Sequence, residues 1–252
     1  MKSLFKTTLA AVALVTLLTA TSHAALNATD DADNYTAWNN GDNFGTGFGA
    51  WILASSGTAG FFIGDSTNLN GGSGGDINVN DKSWGLFGAG GSFADAERFF
   101  TGTLVLGQTF TIDLAVNFRN GNKGINLRND GDDASIFNFN IGSDDYVVND
   151  ATTGNGSIGN SYDANTAFRL QFTQTSAGGG TWSITRSGGI SDFDTGTYTG
   201  VPASFKLYVA GTDGGSPNDL YANNIAIIPE PSTLMLVGCG LLGAWFVRRR
   251  KA

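Results

Sequence analysis

The 252-residue sequence predicts an all-β fold, an antiparallel β-sandwich or jelly roll, on three observations. Apolar residues recur with strict two-residue alternation in several short segments, the period of a strand with one buried face. Glycine-rich clusters separate those segments, at Gly71 to Gly75, Gly178 to Gly180, Gly188-Gly189 and Gly214-Gly215. Between the two chain ends no segment carries helical periodicity over a useful length. Many short strands joined by glycine-rich turns imply a sandwich; a β-solenoid is the runner-up, although no repeat of 20–50 residues is evident.

The strongest strand is QTFTIDLAVNF, which sets Phe110, Ile112, Leu114, Val116 and Phe118 on one face and Thr109, Thr111, Asp113, Ala115 and Asn117 on the other. The alternation returns at Phe137, Phe139 and Ile141, at Phe168, Leu170 and Phe172, at Trp182 and Ile184, and at Phe205, Leu207 and Val209. LYANNIAI closes the set, with Tyr221, Ile225 and Ile227 expected on one face. FTQTSAGGGTWSIT predicts a hairpin with a loop of about five residues. FADAERFF is the one internal stretch suited to a turn of helix. Gly and Pro together make up 41 of 252 residues, below the roughly 25–30% that marks disorder, so the chain is expected to fold.

The two ends are of another kind. Lys2 and Lys6 precede an apolar run from Leu9 to Leu18, and Ser22-His23-Ala24 follows. A basic start, a short apolar core and small residues before the cut make a secretory signal peptide over residues 1–24. At the other end, Thr233 to Val247 is uncharged and long enough as a helix to reach roughly 22 Å, short for a permanent span. Arg248, Arg249, Arg250 and Lys251 follow at once and are expected to stop transfer on the cytoplasmic side. Residues 25–227 are the expected extracellular domain.

Pro229-Glu230-Pro231, an apolar Leu- and Gly-rich segment and a terminal Arg cluster resemble the PEP-CTERM sorting signal of Gram-negative bacteria, here over residues 228–252. The resemblance implies export, processing near the motif by exosortase (a membrane-embedded protease), and a place at the cell surface or in the exopolysaccharide and biofilm matrix. The prolines suit the role physically, because proline fixes φ and disfavours helix at the preceding residue, which keeps the peptide extended. More loosely, YTAWNNGDNFGTGFGAW, GQTFTIDLAVNF and NDLYANNIAI are similar to the lectin-like jelly rolls of bacterial surface proteins, and imply sugar binding.

Composition narrows the chemistry. Leaving out both ends, eight basic residues stand against twenty-one acidic ones, a net charge of −13 for residues 25–228. That balance argues against nucleic acid, whose phosphates select basic faces. His23 and Cys239 are the sole His and Cys and both lie in the ends, so triads and zinc sites built on them are excluded from the domain. Glu97 is its one glutamate. The adjacent pairs Asp132-Asp133 and Asp144-Asp145 are poorly placed to act together, because neighbours on a strand face opposite ways. The domain is therefore expected to be non-catalytic. GTGFG at Gly45 to Gly49 lacks the spacing and context of a phosphate loop.

Two candidate sites remain. Asp130, Asp132 and Asp133 surround a glycine in RNDGDDAS and offer hard oxygen ligands for calcium, outside the EF-hand pattern; an ordinary Asp-Gly turn is the alternative. Tyr35, Trp38 and Trp51 flank a polar Asn/Gly stretch that includes Asn39 and Asn40, and an exposed indole at Trp38 beside amides would bind a sugar ring; the alternative is that these aromatics fill the core.

Overall fold

The computed structural model describes residues 27–68, 74–142, 146–153, 156–159 and 162–229. The signal peptide, Asp144-Asp145 and the tail from Glu230 onward, including the 233–247 span and the basic cluster, lie outside the described residues. The strands are β1 (Ala28–Asp30), β2 (Phe48–Ser56), β3 (Ala59–Gly64), β4 (Ser83–Gly88), β5 (Phe93–Phe100), β6 (Gln108–Val116) and β7 (Asn122–Asn129). They continue with β8 (Ser135–Asn140), β9 (Val147–Asn149), β10 (Ala167–Ser176), β11 (Gly179–Ser187), β12 (Asp192–Thr199), β13 (Pro202–Ala210) and β14 (Leu220–Pro229).

These strands form two antiparallel sheets. The larger runs β12-β11-β10-β6-β14-β4-β3, with β1 also paired to β14; the smaller runs β2-β5-β13-β7-β8-β9. The predicted inward faces meet between them. Phe110 of the larger sheet stacks on Phe205 of the smaller at 5.1 Å. Phe137 meets Phe172 edge-on at 4.7 Å, and Phe139 meets Phe168 at 5.0 Å. Such edge-to-face and offset pairs add to the burial that drives the sheets together.

Four local expectations are corrected. FADAERFF is β5, in the middle of the smaller sheet: Ala94, Ala96, Arg98 and Phe100 point inward, and β2 and β13 satisfy its backbone on both sides. Pairing on two edges overrides a local preference for helix. The β10–β11 loop is two residues, Ala177-Gly178, and the slack is taken up by a register shift between Gln174 and Ser176. Strand β6 ends at Val116, so Phe118 is 39% exposed. In β14 the register shifts between Asn223 and Ala226, with Asn224 at φ 54°. One extra residue reverses the facing of the rest of the strand. Ile225 and Ile227 therefore enter the core, whereas Tyr221 packs outside it with Phe62, Ile77, Ala115 and Ala167.

Candidate functional site

The aromatic stretch near the start of the domain is interior. Trp38 is 4% exposed and Tyr35 fully buried. Trp38 meets Trp51 edge-on at 5.0 Å and Phe61 at 5.4 Å, while Tyr35 meets Trp84 at 5.5 Å. The expectation of a sugar platform on Trp38 is corrected: large rings gain most by leaving water together. Asn39 and Asn40 are exposed, but they knit a turn. Asn39 donates its backbone and side-chain N–H groups to Asp42 Oδ2 at 2.8 and 3.2 Å, and Asn40 Oδ1 accepts from the Leu53 amide at 2.9 Å.

Beneath this stretch lies the one ion pair among the described residues with both side chains fully buried. Arg98 donates to Asp30 and to the Gly49 carbonyl at 2.9 Å and Asn43 Oδ1 at 2.8 Å, with its guanidinium 4.8 Å from the Trp51 ring centroid. The Tyr35 hydroxyl donates to Asp30 at 2.5 Å. Burial, then the carboxylate it faces, pushes the Tyr35 phenol up to about 12. Every strong group in this network is spent on another, so its work is structural.

The acidic turn between β7 and β8 does not gather its carboxylates. Arg128 donates through Nε and Nη2 to the two oxygens of Asp133, and Asp132 accepts from Asn129 at 3.0 Å and the Ala134 amide at 3.2 Å. The hydrogen bond from Arg128 holds Asp133, and that from Asn129 holds Asp132, below the usual carboxylate range. Among the described residues no three His, Cys, Asp or Glu converge in a way that would hold a metal ion.

Two ends of the sandwich differ in what they offer. One pole is where the chain leaves. Strand β14 ends with Ile228 opposite Thr109 and Pro229 opposite Gln108, so the first proline of the motif closes a central strand, two residues beyond the expected boundary. Strand β1 starts at this pole too, with Ala28 opposite Ile227. Gly107 bonds Gln174, Leu104 bonds Pro202, Gly200 bonds Gly178 and Asp130 bonds Val201, which ties the loops of both sheets together here.

The opposite pole carries irregular polar loops. Lys123 is fully buried and donates to the carbonyls of Phe118 at 2.7 Å and Asn218 at 2.8 Å, joining two loops. Gly121, at φ 71°, permits the close approach, since a Cβ there would lie 2.8 Å from the Ala210 carbonyl oxygen. Burial pulls Lys123 down to about 8 and pushes Asp219 up to about 7. Asp219 lines a cavity of about 350 Å³ with Thr58, Phe87, Gly215 and Ser216. Beside it Phe118 and Tyr162 stand partly exposed, 39% and 46%, with ring centroids 6.1 Å apart. The Tyr162 hydroxyl donates to Asn117 Oδ1, and Asn120 donates to Asp213. Asn117 Nδ2 and Asn120 Oδ1 are buried and have no protein partner. Exposed aromatic rings, expected from the sequence at Trp38, are found here instead. Phe118 was hidden by the strand pattern it follows, and the one signal for it was the change to Asn-Phe-Arg-Asn-Gly-Asn; nothing local marked Tyr162.

Comparison with known proteins bears on the tail. Residues 228–251 match the family model of the PEP-CTERM protein-sorting motif. The chain carries that sorting signal, which marks an exported, membrane-anchored precursor on a Gram-negative-type secretion route and is what exosortase recognises. No curated protein matches the chain. Among solved structures, a Shewanella oneidensis protein of unknown function is 11% identical, with a TM-score of 0.43 over 85% of this chain and 92% of its own. An alginate lyase from Corynebacterium sp. is 14% identical, with a TM-score of 0.39 over 61% and 79%. The metal-free lectin I-B4 of Griffonia simplicifolia is 11% identical, with a TM-score of 0.35 over 71% and 92%. Likenesses this distant carry no argument about activity.

Proposed function

We propose that the chain is a non-catalytic component of the cell surface or exopolysaccharide matrix, delivered by its sorting tail and acting through its sandwich. The observation that carries this reading is the seam at Pro229, where the sorting motif begins on the last residue of a central strand. The tail is a transient address: its apolar run is short for lasting anchorage, and exosortase removes it. In a host with exosortase, the mature protein loses Cys239 and the cluster Arg248 to Lys251. Replacing Pro229-Glu230-Pro231 with alanines leaves an uncleaved, membrane-bound form. Mass spectrometry of surface-extracted protein checks this, and recovery of an intact C-terminus ending at Ala252 overturns it. Release of reducing ends or unsaturated uronates from bacterial exopolysaccharide by residues 25–229 overturns the non-catalytic role.

A second reading, a carbohydrate-binding module, is favoured by the partly exposed Phe118–Tyr162 pair at the pole away from the tail. A sugar ring stacks its C–H face on an aromatic ring. A glycan array probed with residues 25–229, with and without calcium, tests it. Binding lost on Phe118→Ala or Tyr162→Ala supports it, and an array without signal removes it.

A further inference from the structure

We propose that, while the precursor is tethered, the tail pole of the sandwich seats on the outer surface of the membrane, with Leu106 and Ile228 as its apolar contacts. The proposal rests on residues 233–247 spanning the bilayer, and three observations lead from there to the seat.

The first is the length of free chain. Strand β14 is held by β6 up to Pro229, and only Glu230, Pro231 and Ser232 separate it from the apolar run at Thr233. Four residue steps reach at most about 14 Å when fully extended, and the headgroup layer takes up roughly 5–7 Å of that. Even at full stretch the tether leaves Pro229 only about 7–9 Å above the headgroups, which keeps this pole next to the lipid. Peeling the end of β14 to lengthen it would break its pairing with β6 and, from Ile227 inward, with β1 as well.

The second is charge. In a domain of net charge −13, the segments the larger sheet sends to this pole carry none: residues 99–112, 170–185, 195–205 and 220–229 contain no Asp, Glu, Lys or Arg. Bringing them to an interface costs no desolvation of an ion. Within this charge-free zone Leu106 is 71% and Ile228 51% exposed, Leu106 two residues before Gln108 and Ile228 one before Pro229, which pairs with Gln108. The smaller sheet does bring charge, as Asp130, Asp132 and Asp133 with Arg128, so the molecule tilts to set the larger sheet down and prefers lipid with little negative charge.

The third is the other end of the chain. Ala28 pairs with Ile227, so the mature N-terminus emerges from the same pole as the tail. Both segments that deal with the membrane during export leave the sandwich on one side.

The test uses the full precursor with Cys239→Ser and a single new cysteine, from Leu106→Cys at the tail pole or Ser216→Cys at the opposite pole, each labelled with a polarity-sensitive fluorophore. The protein is reconstituted into phosphatidylethanolamine–phosphatidylcholine vesicles carrying a nitroxide on the headgroup. The label at 106 loses fluorescence to the headgroup quencher while the label at 216 does not. Raising the phosphatidylglycerol content weakens the loss. Equal signals at the two positions, with the protein floating with the vesicles, overturn the seat alone. Protein that fails to float overturns the seat together with the spanning tail. Self-quenching between 106 labels, insensitive to the nitroxide, shows a second copy on this face and also overturns it.

Discussion

The two poles of this sandwich are built from the same strands yet are opposite in character. At the tail pole the larger sheet ends in tight, uncharged connections, such as the two-residue turn Ala177-Gly178 and the Val105–Gln108 turn closed by the Gln108 side chain. At the other pole the connections are longer and polar, and they are held by a buried lysine, a buried aspartate and a row of asparagines. On the proposal that the tail pole lies against lipid, the end of the larger sheet would tolerate neither charge nor loose backbone, because polar groups there lose water without a replacement. The opposite pole carries the partly exposed Phe118–Tyr162 pair.

The sharpest way to break this comparison is to remove the strand that creates it. A chain ending at Asp219 lacks β14, and with it the partner of β6, β4 and β1. It is expected not to fold at all, seen as loss of near-UV dichroism and of protease resistance. Next in size, Arg98→Met strands Asp30 as an uncompensated buried charge. Breaking such a pair costs about 3–5 kcal/mol, read as a fall in the urea midpoint.

The aromatic exchange between the two regions is tested by a matched set. Trp38→Ala is expected to cost about 3–5 kcal/mol, as for other large core truncations, without a specific effect on glycan retention. Phe118→Ala and Tyr162→Ala, at partly exposed positions, are expected to stay within about 0.5 kcal/mol of the parent and to abolish retention on any glycan column that holds it. The opposite pattern would return the binding role to Trp38.

The smallest effect concerns pH. Asp219, pushed up to about 7 by burial, stays protonated in the folded state while the unfolded chain is ionised above about pH 4. The folded state then holds the extra proton, so this group's contribution is full below about pH 4 and is lost as pH rises through 7. Lys123, pulled down to about 8, acts in the other direction: its contribution is full above about pH 10 and is lost as pH falls through 8. Asp219→Asn is expected to flatten the stability profile between pH 4 and 7 relative to the parent, and an unchanged slope in urea melts would refute the assignment.

Much of the fold was legible because β structure with one buried face writes its period into the chain. Phe110, Ile112 and Leu114, and likewise Phe168, Leu170 and Phe172, stand in the core as their spacing requires. The departures share one cause. Tyr221 was misplaced by the bulge at Asn224, and FADAERFF became a strand between β2 and β13. Both depend on partners far away in sequence, so no local window contains them. The candidate sites fared worse for the same reason: Asp132 and Asp133 were legible as oxygen ligands, but not as groups already claimed by Asn129 and Arg128.

By itself, then, the sequence determined the address and the architecture. The sorting tail is a linear signal recognised by exosortase, and the alternation that specifies sheets is local, so neither needs a folded partner to be recognised. Which aromatics are hidden and which face solvent, and that β1 begins and β14 ends at one pole, where the larger sheet brings no charge, was decided only by tertiary structure. Exposure belongs to the packed whole: Trp38 is buried because Trp51, Phe61 and Trp84 close over it, and Phe118 is not because its strand ends two residues earlier.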